Sequence, residues 1–456
     1  MKILFKMMMG ILLVIMLLFV AAHFWPDGVL RPETENLLRL NTSLIPPEQN
    51  AYFTFYGMDA PLDRNAHAVG YEKATALNLA SAEFLKTGNH ALIPDERWGN
   101  PPITKEDDEG FLCKPTKEAC FDKFFVNEQK IRSLTNNLAA WLARYKSLYQ
   151  RPRYHHAVMP SAFTDMGLPN FVLYLRLHRL LLAEIGCDYL SGNKADALTA
   201  LQKDISYLRG VFADINILIT RVFIIFMLRS DLHLYAQMLD MPDAPPEALT
   251  WNIPLLAENE RTLEHVMRYE FSIPASIYDM LAAHPQTCLE EFKEMPKWKK
   301  MLLSILPFKR NATLNLLVPA YLKIVEMSHL SAPEVARLEK EFSAKPTQSV
   351  RIPDYFTNPA GIILYRNAFP DFTGAISRTH ALDGLIRLVN LKQRILAQRI
   401  PDNRILAFLQ EQAAEYGDPY TGQAMQWNAD RRTIGFLSPF KAQTYIDELR
   451  LPESRQ

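Results

Sequence analysis

The chain has 456 residues, with 50 Lys plus Arg against 50 Asp plus Glu, and hydrophobic residues make up 48% of it. Zero formal charge leaves no global basic field to attract nucleic acid, so no nucleic-acid partner is expected, and the apolar share is ample for a core. With Gly at 17 and Pro at 30, the composition favours many helices broken at Pro-marked connections over a Gly-rich nucleotide-binding sheet.

Lys2 and Lys6 stand before an unbroken apolar run from Met7 to Ala22. A short basic region leading into such a run is the pattern of a secretory signal or of a signal anchor, and both deliver the remainder of the chain beyond the cytoplasm. Val20-Ala21-Ala22 offers small residues where a signal peptidase reads, while Phe24 and Trp25 suit the lipid–water boundary of a retained helix. Both outcomes stay open. The favoured expectation is a retained transmembrane anchor over residues 1–25 with its basic end inside, then a tether over 26–47, a helical body over 48–416, and a C-terminal turn, β-hairpin and tail over 417–456.

Within the body, the aromatic stretch Asn50 to Pro61 predicts a short helix leading into a turn, and Asp63 is placed to cap a helix running to about Lys86. Residues 87–125 show no sustained period, so a long loop is expected, with Glu106-Asp107-Asp108-Glu109 as a solvated face or loop tip. A Cys113–Cys120 disulfide would staple that loop in an oxidising compartment. From Asn127 to about Leu148, apolar residues recur at three- and four-residue steps until Pro152.

Three further helices open at Leu168-Pro169-Asn170, at Lys194 and at Ala213, and end near Leu190, Leu208 and Leu239. Their short connections predict antiparallel hairpins. The stretch GNKADALTALQKDISYLR resembles half of a tetratricopeptide-type unit, without a second copy at a fixed period. The run VFADINILITRVFIIFML is interrupted by Asp214, Asn216, Thr220 and Arg221, which suits the centre of a bundle rather than a membrane crossing. A charged helix from Glu258 to about Phe271, a further one to about Ala283, and helices ending near Leu330, Ala344, Gln398 and Tyr416 complete an all-α body. Met425–Trp427 and Thr433–Phe436 then alternate as one short β-hairpin.

No motif with real catalytic specificity occurs in the sequence: there is no GxSxG elbow, no phosphate-binding GxxxxGK[ST] loop and no HExxH. The residual catalytic candidates are Glu260, Glu264 and His265, where paired carboxylates beside a His could do acid–base work in a cleft. His155 and His156, next to Arg151 and Arg153, are candidate ligand-binding residues for an anion. Adjacent loop residues seldom converge on one ion, so no metal and no cofactor is expected there. Arg221, inside the most apolar helix, requires a carboxylate partner or a wet cavity. Whether Cys187 and Cys288 pair is left open.

Several stretches, NAYFTFYGMDAP, ERTLEHVMRYEF, NATLNL, HALDGLIRLVNLKQRI and DPYTGQAMQW, are similar to a family of membrane-anchored, periplasmic, mainly helical proteobacterial proteins without an assigned activity. The resemblance implies a single-pass location in the bacterial inner membrane with the body in the periplasm, and it transfers no catalytic residue. The leading expectation is a binding or scaffold protein that presents a helical groove to an envelope protein or peptide. The alternative is an envelope hydrolase using the carboxylate and His candidates.

Overall fold

The computed structural model describes residues 2–40, 45–88, 102–160, 167–291, 294–342, 350, 352–367, 372–437 and 446–452. Its first helix, α1 (Lys2–Phe24), leaves the side chains of Met7, Met8, Met9, Leu13, Met16 and Leu17 exposed, while its end docks: Ala22 is buried, and the His23 ring lies 3.0 Å from the Ile305 carbonyl. Among the described residues no helix is long and apolar enough to cross a membrane. The transmembrane anchor expected over residues 1–25 is therefore not supported.

The expected tether is laid along the body. Asp27 accepts from the backbone N–H groups of Asn311 and Ala312, the Asn311 side chain donates to the Gly28 carbonyl, and α2 (Pro32–Leu38) buries Thr34 and Leu37. The Asp27 carboxylate and two buried side chains hold this part of the segment against the helix Arg310–Ser328.

Asn50 starts α3 (Ala51–Tyr56) by accepting from the Tyr52 amide at 3.1 Å. The next helix, α4 (Ala66–Thr87), is capped by Asn65 rather than Asp63, its side chain accepting from Ala68. Two glycines bring α3 and α4 into backbone contact: a Cβ on Gly57 would run into the Ala66 carbonyl, and one on Gly70 into the Phe53 carbonyl. Arg144 gathers the carbonyls of Met58, Ala60, Pro61 and Arg64, which fixes the turn between the two helices.

The stretch expected to be a loop contains α5 (Lys105–Gly110), opened by a reciprocal capping box between Thr104 and Asp107. Its acidic run divides: Glu106 and Glu109 are exposed, as a solvated face would be, and the two acids between them are engaged. Asp107 serves the cap, and Asp108 is buried against Arg179 at 2.5 Å. Pro94, Gly99 and Pro101 lie outside the described residues. The expected Cys113–Cys120 disulfide is formed and leads into α6 (Cys120–Asn137), which bends at Asn127 before α7 (Ala139–Lys146).

The centre of the molecule is the run α8 (Phe171–Leu190), α9 (Lys194–Phe212) and α10 (Leu218–Met238). Asn170 caps the first, and Gly192, with φ at +96°, supplies the left-handed residue that turns α8 into α9. Cys187 is buried on α8 and stays a free thiol, and Cys288 is buried as well.

The expected single charged helix is split into α11 (Glu258–Arg261) and α12 (Glu264–Ala283). The break has a local cause. The Glu260 carboxylate accepts from the Ala257 amide at 2.8 Å, and the extended Thr262 then offers its hydroxyl to the Glu264 amide, so two helix starts compete within seven residues. Shorter helices α13 (Pro285–Glu291) and α14 (Lys297–Ile305) lead to α15 (Arg310–Ser328), then α16 (Ala332–Phe342), α17 (Ile352–Thr357) and α18 (Pro359–Asn367).

The long α19 (Thr373–Ala397) is buried on most sides, and its polar residues have backbone partners: Asn390 brackets Ile253 through both N–H and C=O, Asp383 accepts from Leu256, and Gln393 donates to Ala248. These bonds lay the connection after α10 along its surface. Helices α20 (Asp402–Glu411) and α21 (Ala413–Tyr416) precede the sheet.

The sheet has three antiparallel strands rather than the expected two: β1 (Gln426–Asn428), β2 (Thr433–Leu437) and β3 (Ile446–Arg450), in that order. Strand β3 turns Asp447 and Leu449 inward. An inward aspartate hides the apolar alternation that marks a strand, and here it is matched by Arg229 of α10. Phe436 of β2 fills the space left by Gly384 of α19.

Candidate functional site: a histidine- and arginine-lined cleft

The extended segment 153–159 forms the floor of a cleft of about 850 Å³, with residues 45–53 on one side, the 213–216 turn on another, and one face of α12 closing it. Two asparagines hold that floor in place of a neighbouring strand. Asn50 accepts from the His155 amide at 2.9 Å and donates to its carbonyl at 2.8 Å, and Asn216 accepts from the His156 amide at 2.7 Å. Next to them, the Ala51 amide donates to the Arg153 carbonyl. Each asparagine amide thus satisfies strand-like backbone groups that a buried extended segment would otherwise leave unmet.

Onto this frame the fold brings His155, His156, His265, Arg153 and Arg268, with Phe53 and Tyr269 as aromatic walls. The Arg153 guanidinium is forked onto Asp214, and Arg268 joins the Glu264 carboxylate at 2.8 Å and the Asn36 carbonyl. Tyr269 donates to the Val158 carbonyl at 2.9 Å, tying α12 to the floor. Burial, and then repulsion from His265, lowers the His155 pKa to about 4, with Asp214 pulling weakly the other way. His155 is therefore a neutral donor and acceptor at neutral pH, and its Nε2 lies 3.4 Å from the Asn216 side-chain nitrogen.

The sequence candidates thus fall into two groups. His155, His156 and His265 meet in the cleft although more than a hundred residues separate the pair from the third. Glu260 and Arg221 do not line it. Glu260 is buried in a forked pair with Arg209, at 2.5 and 2.7 Å, besides starting α11. Glu264 is half-exposed, and its carboxyl is held below the usual range by the Arg268 hydrogen bond. Arg221 is fully buried, lies 4.3 Å from the Phe212 ring centre, and donates to the Glu260 carbonyl rather than to a carboxylate. Burial lowers its pKa to about 9, against the attraction of Glu260.

A second constellation was not anticipated from the sequence. His178 of α8, Asp204 of α9 and Asp231 of α10 meet at the centre of the bundle, each no more than 1% exposed, with His178 Nε2 at 2.7 Å from Asp231 and 3.3 Å from Asp204. Tyr149 and Tyr145 donate to the other Asp204 oxygen at 2.8 and 3.3 Å. Burial disfavours a charged imidazole, yet the two carboxylates override it and raise the His178 pKa to about 9. The signal in the sequence is helical spacing: Asp204 falls on one face with Leu201 and Leu208, and Asp231 with Leu228 and Leu234, where a carboxylate cannot stand without a partner.

No family model, curated protein or solved structure matches the chain.

Proposed function

We propose that the protein is a binding protein of the bacterial envelope whose cleft receives an extended peptide segment carrying a carboxylate. The observation that carries this reading is the convergence of three histidines and two arginines on one aromatic-walled cleft of about 850 Å³. The size falls within the ordinary range for ligand sites, and a few convergent polar groups against apolar walls are what such sites use to fix orientation. The lining carries two arginines and one carboxylate, Asp214, which Arg153 holds, while Arg268 is held by Glu264 outside the lining, where a guest carboxylate would compete for its guanidinium. That balance favours an anionic guest, and guanidinium groups match carboxylates geometrically.

The envelope location rests on the basic and apolar N-terminus and is supported by the Cys113–Cys120 disulfide, since such bonds persist in oxidising compartments. A periplasm-dependent reporter fused at the C-terminus should be active, and activity confined to a cytosolic reporter would refute it.

Binding is tested by fluorescence anisotropy with labelled acidic peptides bearing a free C-terminal carboxylate, alongside their amidated neutral counterparts. Saturable binding of the acidic peptides that weakens at least about tenfold in Arg268→Gln is expected. Equal affinity for acidic and neutral peptides, or no saturable binding, would refute the reading. The hydrolase alternative, using Glu260, Glu264 or His265, has less support: Glu260 is engaged by Arg209 and the Ala257 amide, Glu264 by Arg268, and neither carboxylate lines the cleft that His265 enters.

A further inference from the structure

We propose that His178, Asp204 and Asp231 form a buried site for one divalent first-row transition-metal ion that clamps α8, α9 and α10 together. One ligand atom from each residue lies within 4.8 Å of the others, and all three residues are buried. Metal–ligand bonds of about 2.1 Å place neighbouring donors roughly 3.0–3.4 Å apart. The His178–Asp204 separation of 3.3 Å is in that range, and the His178–Asp231 separation of 2.7 Å needs an opening of only a few tenths of an ångström.

Independent support comes from oxygens that no internal hydrogen bond uses. Asp204 Oδ2 and Asp231 Oδ2 have no hydrogen-bond partner among the described residues, though both residues are buried; the other Asp231 oxygen, Oδ1, faces His178. Buried carboxylate oxygens left this way are costly, and a cation satisfies them. The pattern at Asp204 is directional. Tyr145 and Tyr149 donate to Oδ1 and fix the plane of the carboxylate, leaving Oδ2 on the His178 side. Outer hydrogen bonds of this kind commonly orient metal-binding carboxylates.

Charge completes the case. Binding through His178 Nε2 releases the proton on that nitrogen to solvent as the chain folds around the ion; two carboxylates and a neutral imidazole around a dication then sum to zero, which suits a fully buried position. One imidazole with two carboxylates is a mixed nitrogen and oxygen set, fitting Mn²⁺, Fe²⁺ or Zn²⁺ rather than a thiolate-seeking ion. Because the three residues are closed off by the bundle, the ion is loaded as the chain folds.

The test uses the full chain, unfolded in denaturant with a chelator, then refolded with or without Mn²⁺, Fe²⁺ or Zn²⁺ and freed of loose metal. Elemental analysis should find about one ion per chain in the metal-refolded protein, retained through chelator washing, and its thermal midpoint should exceed that of the metal-free preparation. Asp231→Asn should refold, judged by circular dichroism, and hold less than about a tenth as much metal. Should that variant fail to fold, the wild-type comparison decides alone: metal-free and metal-refolded protein with the same midpoint and no retained ion overturns the proposal. Metal retained equally by a folded Asp231→Asn also overturns it.

Discussion

The cleft and the bundle centre contain similar side chains, yet their surroundings give them opposite work. In the cleft, His155 and Arg153 sit on an extended segment held by asparagines, and Arg153 remains about half exposed. At the bundle centre, His178, Asp204 and Asp231 project from three helices and meet without solvent. A charged group at the cleft rim can be screened by water, so changing it should alter what binds more than whether the chain folds. A buried group whose partners remain behind costs far more.

The sharpest way to break this contrast is Asp204→Ala. It removes the acceptor of two tyrosine hydroxyls and one of the two carboxylates facing His178. A loss of about 3–5 kcal/mol in unfolding free energy is expected, measured by urea titration. A loss below about 1 kcal/mol would mean that the centre is not tightly packed around these groups.

Acid comes next. Burial lowers the pKa values of His233 to about 3 and His380 to about 4, as it does for His155, each below the ordinary 6.5. Because the folded values lie below the unfolded one, their stabilising contribution is present above about pH 6.5 and is lost as pH falls toward 4, when the unfolded chain takes up protons first. Each of these histidines costs at most about 1.4 kcal/mol per pH unit in that window. His178 and Asp231, whose folded pKa values are raised to about 9 and about 7, pull the other way as pH falls, but three lowered histidines outweigh them, so thermal midpoints should fall between pH 7 and 5, and a rise over that range would contradict this balance.

How much of this is legible in the sequence tracks the same divide. The helices announce themselves through apolar spacing, down to the Asn170 start of α8 and the Gly192 turn. The disulfide is legible from two cysteines flanking a polar loop. His155, His156 and His265 stand out because polar loops and charged helices make histidines conspicuous, although nothing in the sequence says that residues 155 and 265 share a cleft. His178, Asp204 and Asp231 are hidden for the opposite reason. Each sits beside or near a charged residue, Arg179, Lys203 or Arg229, that makes it look like part of an ordinary polar face, and only the packing of α8, α9 and α10 brings the three together. Strand β3 is hidden likewise, since its inward Asp447 has a partner on α10, more than two hundred residues away.

A smaller effect separates binding from folding within the cleft itself. Arg268→Gln removes the cation but keeps a side-chain donor, so peptide affinity should fall about tenfold, near 1.4 kcal/mol, while the thermal midpoint moves little. A midpoint that drops as far as the Asp204→Ala variant's would show that Arg268 serves the fold through Asn36 and Glu264 instead.

The smallest effect is expected at the floor, where side chain and backbone can be told apart. Among the described residues the one hydrogen-bond approach to the His155 ring is that of Asn216 at its Nε2, at 3.4 Å, so His155→Ala should cost less than about 1 kcal/mol of stability. Asn50 is different: its one amide holds the His155 backbone on both sides and also starts α3. Asn50→Ala leaves a donor and an acceptor of the floor unsatisfied and removes a helix cap, for about 1–3 kcal/mol. If the two substitutions cost the same, the floor is held by its side chains and not by the asparagine clamp. The cleft would then be a surface that changes shape with its occupant rather than a preformed one.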